Sequence, residues 1–173
     1  GPINSGSQAL DVDVTGIDTL WLVVTDAGDG RHHDWADWAE PTLHGPDGEL
    51  RLTELDWLSA KSGHKEVQRD KNAVGNPLSL AGERPAFGLG THADSAIVYR
   101  LPPGYTRFTA TVGPDDEAVA GGNDRGHSVE FHVLADLPVR AVTAVSDPLT
   151  RALGRPNREQ VVTRRQSVAT TLQ

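Results

Sequence analysis

The chain has 173 residues, no cysteine, and a formal net charge of −8 at neutral pH. That length fits one domain, or one domain with a fragment, and is enough to bury a core without covalent staples. The missing cysteines remove disulfides and thiolate metal sites, and the negative charge argues against nonspecific binding to nucleic acid or to an anionic membrane surface.

No apolar run approaches the roughly 20 residues needed to span a bilayer. Neither an initiator methionine nor a signal peptide opens the chain, which reads as an internal piece of a longer protein. Residues 1–8, GPINSGSQ, read as linker. ALDVDV (9–14) alternates as a strand does, and TLWLVVT (19–25) is apolar on both faces, as a fully buried strand is. TGID between them reads as a hairpin turn. The next stretch, DAGDGRHHDWADWAEP (26–41), holds too many charges for a core and too many indoles for a plain surface loop.

HGPDGE (44–49) is a strong turn, and LRLTEL (50–55) a short alternating strand. Residues 59–77 are polar and read mostly as loop. AIVYRL (96–101), TRFTATV (106–112) and SVEFHVL (128–134) are three further strands. Phe108, Ala110 and Val112 share one face, as do Val129, Phe131 and Val133. Arg107, Thr109, Thr111, Glu130 and His132 occupy the opposite faces, which predicts sheets wetted on one side. GPDDEAVAGGNDRGH (113–127) reads as a long loop, and no stretch before residue 140 has a convincing helical period. Many short strands between turn signals predict an all-β fold, an antiparallel β-sandwich or jelly roll. After about residue 138 the composition turns Arg- and Gln-rich, so 138–173 reads as linker and the truncated start of a following domain, poorly packed by itself.

DVDVTGIDTLWLVVTDAGDG followed by DWADWAEP, with GLGTHADSAIVYRLPPGYTRFTATVGPDDE and SVEFHVLAD, strongly resembles the NPCBM family of carbohydrate-binding modules. The resemblance covers residues 9–137 and implies a galactose-binding-like sandwich that takes galactose-type sugars in some members. The order differs: the family's usual first half, around GLGTHA, here comes second. One circularly permuted domain joined through HGPDGE accounts for this better than two half-domains, each of which would expose a wide apolar sheet face. The permuted order and the tail GRPNREQVVT…TTLQ also resemble large multidomain bacterial cytochrome-type proteins, the tail matching the opening of a domain of unknown function.

A sugar needs hydrogen-bonding partners for its hydroxyls and an aromatic face for its C–H side. HHDWADW supplies both, and Asp34, Asp37 and Trp38 match the family pattern DHADWA. Trp35 stands where the family usually has His, which alters the hydrogen-bonding role expected there. The candidate sugar-binding set is Trp35, Asp37, Trp38, His33, Asp34, His92 of GLGTHA, and Asn76. Trp38 can equally be a core plug with Asp37 capping backbone amides; His92 can be a satisfied histidine tying loops together. Trp57 reads as structural.

Calcium prefers six to eight oxygen ligands, which the acidic loops could collect, with Asp26, Asp29 and Asp116 as candidates. Neither loop has EF-hand spacing, and a solvated acidic surface is the plainer alternative. No spacing singles out a glycosidase acid pair, HExxH and G-x-S-x-G are absent, and GLGTHA lacks the third glycine of a dinucleotide fingerprint. The family resemblance therefore implies a noncatalytic carbohydrate-binding module, extracytoplasmic by that resemblance alone, whose partners are a glycan and neighbouring domains, with no nucleic acid and no membrane insertion. A structural module that packs between domains and has lost sugar binding is the alternative.

Overall fold

The computed structural model describes residues 1–28, 30, 32–121, 128–136 and 165–167. Numbered in chain order, the strands form two antiparallel sheets. The first runs β1 (Gln8–Asp13), β9 (Arg107–Pro114), β3 (Trp35–Gly45), β7 (Gly88–His92) and β6 (Gln68–Arg69), with β4 (Gly48–Arg51) also paired to β3. The second runs β11 (Arg165–Ser167), β10 (Glu130–Asp136), β2 (Thr19–Thr25), β8 (Ser95–Arg100) and β5 (Trp57–Lys61). A one-turn helix, α1 (Asp116–Gly121), follows β9.

The inward faces of both sheets meet in one apolar cluster, so the architecture is an all-β sandwich. Val12, Ala36, Trp38, Leu43, Leu89, Phe108, Ala110 and Val112 come from the first sheet; Leu20, Leu22, Val24, Ile97, Tyr99 and Val133 come from the second. Burying each large side chain contributes about 1.5–3 kcal/mol, which makes this layer the main source of stability. Trp38 meets Phe131 edge-to-face across the layer, with ring centroids 5.1 Å apart at 84°. The alternation in the sequence reports this geometry well. Phe108, Ala110 and Val112 point in, while Arg107 on the opposite face is exposed. β2 buries both faces, as its composition predicts: Val23 lies outside the main core in a second cluster with Ala96 and Leu134, and Trp21 packs against them.

β3 is the longest strand, at 11 residues, and organises the first sheet. β9 pairs along nearly all of it, while the other side is shared by β7 on Trp35–Ala39 and β4 on Thr42–Gly45. A bulge falls at the changeover, between Ala39 and Thr42. There β3 advances three residues while β9 advances two, so one residue is extra and Leu43 still points inward. The hairpin turn at Pro46–Asp47 then leads into β4.

Several elements differ from the sequence-based expectation. Much of 26–41 reads as loop, yet β3 begins at Trp35; its Asp and Trp residues break the usual alternation because both of its faces are covered. The strand expected at 50–55 spans Gly48–Arg51, and the chain then turns so that Leu52 enters the core. Residues 59–77 contain β6 and most of β5, and GLGTH is a strand although it has two glycines. Within the loop expected at 113–127, Asp115 caps α1: its Oδ1 accepts from the Glu117 N–H at 2.9 Å. Residues 1–8 are not a free linker, since Ile3 exchanges two backbone hydrogen bonds with Val129. In the 138–173 tail, residues 165–167 pair with β10, and the rest lies outside the described residues.

Candidate functional site

The outward face of β3 in the first sheet carries Trp35 and Asp37, because the residues between and after them, Ala36 and Trp38, fill the core. Their cross-strand partners on β7 are His92 and Gly90. On β9, Asp37 faces Gly113. Loop 71–82 lies across this face, and glycines let it come close. A Cβ on Gly90 would stand 2.2 Å from the Lys71 carbonyl oxygen and 2.5 Å from the Asn72 Cα. A Cβ on Gly88 would meet Leu78 at 2.8 Å, and one on Gly113 would meet the Gly6 carbonyl oxygen at 2.4 Å. Loop 71–82, with Gly6 beside it, thus forms a roof seated on bare backbone.

Under that roof Asp37 and Asp115 are both 0 % exposed. Asp115 is well supplied with donors: Asn72 Nδ2 at 3.3 Å, the Glu117 N–H at 2.9 Å and the Ser79 N–H at 3.3 Å. Asp37 has no such supply, and neither of its oxygens has a donor from a well-placed group. Burial, followed by the neighbouring Asp115 and Asp116 carboxyls, pushes the Asp37 carboxyl well above the usual carboxylate range, and the Ser79 N–H opposes this only weakly. Asn76 belongs to the same roof, donating to Glu117 Oε2 at 2.9 Å and to Asn72 Oδ1 at 3.0 Å.

One step along β3 the roof ends. Trp35 is half-buried there, and its indole lies 6.3 Å from the exposed His33 ring, centroid to centroid. His33 adopts a positive φ of 62° and rests against α1, where a Cβ on Gly121 would be 3.3 Å from its Cδ2. Opposite Trp35, His92 is held from both sides. Its N–H donates to Ser62 Oγ at 3.1 Å, and its carbonyl accepts from the Gly63 N–H at 2.9 Å. Its Nδ1 lies 2.6 Å from the Ala93 carbonyl oxygen. A carbonyl only accepts, so Nδ1 carries the proton and Nε2 of the neutral ring is an acceptor. The exposed His64 ring stands nearly perpendicular to His92 at 5.8 Å. One indole and three imidazoles therefore lie along one rim of the sheet, in two ring pairs joined by the Trp35–His92 register, from β3, from the loop before it, from β7, and from the turn after β5; of the four, His92 is buried.

Of the sequence-predicted set, the structure brings together Trp35, His33 and His92. Trp38 is wholly buried in the core and Asp37 wholly buried under the roof, so neither meets a surface ligand. Asp34, in the chain just before β3, is also wholly buried. Asn76 braces the roof. His64 was not foreseen, since its place depends on the turn 62–64 being stitched to β7. Asp115 was foreseen only within an acidic loop that could collect the oxygens calcium prefers, although Asp followed by DEAVA reads as a helix-capping pattern. Trp57 is structural, lying under the Arg69 guanidinium at 3.7 Å and against the core.

Of the calcium candidates, Asp26 and Asp116 serve separate donors. Asp26 Oδ1 accepts from the Gly28 N–H, Asp116 Oδ2 accepts from Gly82 N–H and the Ser79 hydroxyl, and Asp29 lies outside the described residues. Among the described residues no three His, Asp or Glu side chains are placed to hold a metal ion. On the same outward sheet face, Thr109, His44 and Glu49 follow the hydrogen-bond order of a hydrolytic triad, with His44 Nε2 2.7 Å from the Thr109 hydroxyl and Nδ1 3.0 Å from Glu49. Order alone does not make an active site, because hydrolysis also needs backbone or side-chain donors aimed at an oxyanion. Thr109 lies within strand pairings on both sides, to Asp11 and to Thr42, which engage the backbone amides around it. No helix among the described residues is long and apolar enough to cross a membrane.

A family model described as NPCBM/NEW2 domain matches residues 3–44 and 48–153. No curated protein and no solved structure matches the chain.

Proposed function

Because this chain belongs to the NPCBM/NEW2 domain family, we propose that it is a noncatalytic carbohydrate-binding module that recognises a terminal, galactose-like sugar at the Trp35 rim. The observation that carries this reading is the cross-strand pairing of Trp35 with His92, flanked by His33 and His64. The C–H face of the sugar stacks on the Trp35 indole, and imidazole nitrogens serve the hydroxyls. Galactose fits the stacking requirement because an axial hydroxyl leaves one ring face rich in C–H groups. The rim is shallow and water competes for each hydroxyl, so one sugar binds weakly, with a Kd on the order of 1 mM.

The module acts outside the cytoplasm within a larger protein, tethering it to glycan. Its two matched segments are halves of one domain in reversed order, joined at the Pro46–Asp47 turn. Two observations support the two segments forming a single domain. The match breaks between residues 44 and 48, at that hairpin, and strands of the first half lie between strands of the second: β3 between β9 and β7, β2 between β10 and β8. The match also reaches residue 153, which supports extending the module past 137.

The test is titration of the chain with galactose and with galactose-ended oligosaccharides, followed by tryptophan fluorescence and calorimetry, beside a glycan array. Saturable binding that Trp35→Ala weakens at least about tenfold in a folded protein is the expected result. A silent array with a folded chain overturns it and leaves the interdomain packing role.

A further inference from the structure

Asp37 and Asp115 are not used by the rim, and their geometry calls for a separate explanation. Two carboxyl groups are neighbours on one sheet face, both removed from water: Asp37 lies opposite Gly113, two residues before Asp115, whose N–H is bonded to the Trp35 carbonyl. Asp115 already receives three donors, while Asp37 has only the Ser79 N–H, which is shared with Asp115 and too poorly placed to make a hydrogen bond to it. Two such groups cannot both carry charge cheaply. An ionised, unpartnered carboxylate at zero exposure costs several kcal/mol. A cation would relieve this, but the third ligand is missing. Glu117 is spent on Asn72 and Asn76, and Asp116 on Ser79 and Gly82.

We infer that Asp37 and Asp115 hold a single proton between them, so that Asp37 is a neutral acid donating to the Asp115 carboxylate, and that this proton fastens the 71–82 roof and α1 to the sheet. Asp115 is the hub of the fastening. Its side chain ties Asn72 and Ser79 of the roof to the start of α1, and its N–H donates to the Trp35 carbonyl at 3.1 Å. Among the described residues no group neutralises a second negative charge there. From α1 come Asp116 and Glu117. Just before the roof stands Asp70, whose carboxylate accepts from the Gly88 N–H at 3.0 Å, followed by Lys71, which presents its backbone carbonyl to Gly90. The facing positions of β7 and β9 are Gly90 and Gly113. Among the described residues no basic group acts on the Asp37 carboxyl.

The sign of the pH dependence follows. Above the ordinary carboxylate range the unfolded chain has released this proton while the folded chain keeps it. Folding then takes up a proton, and the pair's contribution to stability falls as pH rises from about 4 towards the folded value of the pair. Loss of the proton frees the roof, because both carboxylates then need water.

The inference does not depend on sugar binding, and its test has two readouts that sugar cannot affect. The first is the infrared C=O stretch of a protonated carboxylic acid in the intact chain at pH 7, which Asp37→Asn removes. The second is the thermal midpoint of the parent, of Asp37→Asn and of Asp115→Asn between pH 4 and pH 8, each with calcium and with chelator. In both variants an amide donor replaces the shared proton. The gap between Asp37→Asn and the parent therefore shifts in favour of the variant by roughly 3 °C or more as pH rises across that range. If Asp37→Asn fails to fold, the Asp115→Asn curve and the parent's infrared band decide. A parent with no protonated-acid band at pH 7 overturns the inference. So do variant curves parallel to the parent's, or a parent midpoint that chelator lowers, which would put a cation between the carboxyls.

Discussion

Trp35 and Asp37 are two residues apart on the same outward face of one strand, and their circumstances are opposite. Asp37 sits between Gly90 and Gly113, and the missing side chains on both neighbours let a loop lie flat over it. Trp35 sits opposite His92, a residue with a ring where Asp37 meets only glycine, and its indole stays half in water. Whether a sheet position becomes core-like or available to a ligand is thus set less by the residue itself than by its cross-strand neighbours. A chemically polar residue ends wholly buried, and a chemically apolar one ends at the surface.

Substitutions can break this contrast, and their expected effects run from large to small. Trp38→Ala removes the inward side chain between the two and costs roughly 3–5 kcal/mol of unfolding free energy in urea titrations, with loss of the Phe131 contact. Gly90→Ala sets a methyl against the Lys71 carbonyl and Asn72. It displaces the roof at about 3 kcal/mol and raises amide hydrogen exchange throughout 71–82. Trp35→Ala costs less than about 1 kcal/mol of stability while abolishing fluorescence-detected sugar binding, a separation that Trp38→Ala cannot show. Tyr99→Phe is the smallest. Burial pushes the Tyr99 phenol up, its hydroxyl has no hydrogen-bond partner among the described residues, and its removal leaves the urea midpoint unchanged or slightly higher.

The same contrast explains how much of the molecule could be read from the sequence. β1, β2, β8, β9 and β10 declare themselves, because each pairs an apolar inward face with a regular pattern outside, or is apolar throughout. β3 and β7 do not. WADWA interleaves a carboxylate with indoles, and GLGTH lacks side chains where a strand normally needs them. Both make sense only once the roof is in place, and the roof comes from residues 34 to 45 positions along the chain from Asp37. The rim was partly legible: Trp35, His33 and His92 were singled out as residue types suited to sugars. Their separation from Asp34, Asp37 and Trp38 was not, because alternation within β3 and the covering of one face decide it. His64 carries no local signal, since the turn that aims it at His92 is ordered by a strand 25 to 30 residues further on.

The single extra residue between Ala39 and Thr42 gives β3 something like a reading frame. Upstream of it, even-numbered positions such as Ala36 and Trp38 face the core; downstream, the odd-numbered Leu43 does. Deleting Glu40 would take out the extra residue: the spacing from Trp38 to Leu43 becomes four, as it is from Val112 to Phe108 on β9, and plain alternation then keeps both side chains facing the core. The bulge thus absorbs a one-residue deletion, whereas a one-residue deletion in β9, which has no extra residue to lose, acts as a frameshift in three dimensions; insertions in the Pro46–Asp47 turn carry no such penalty.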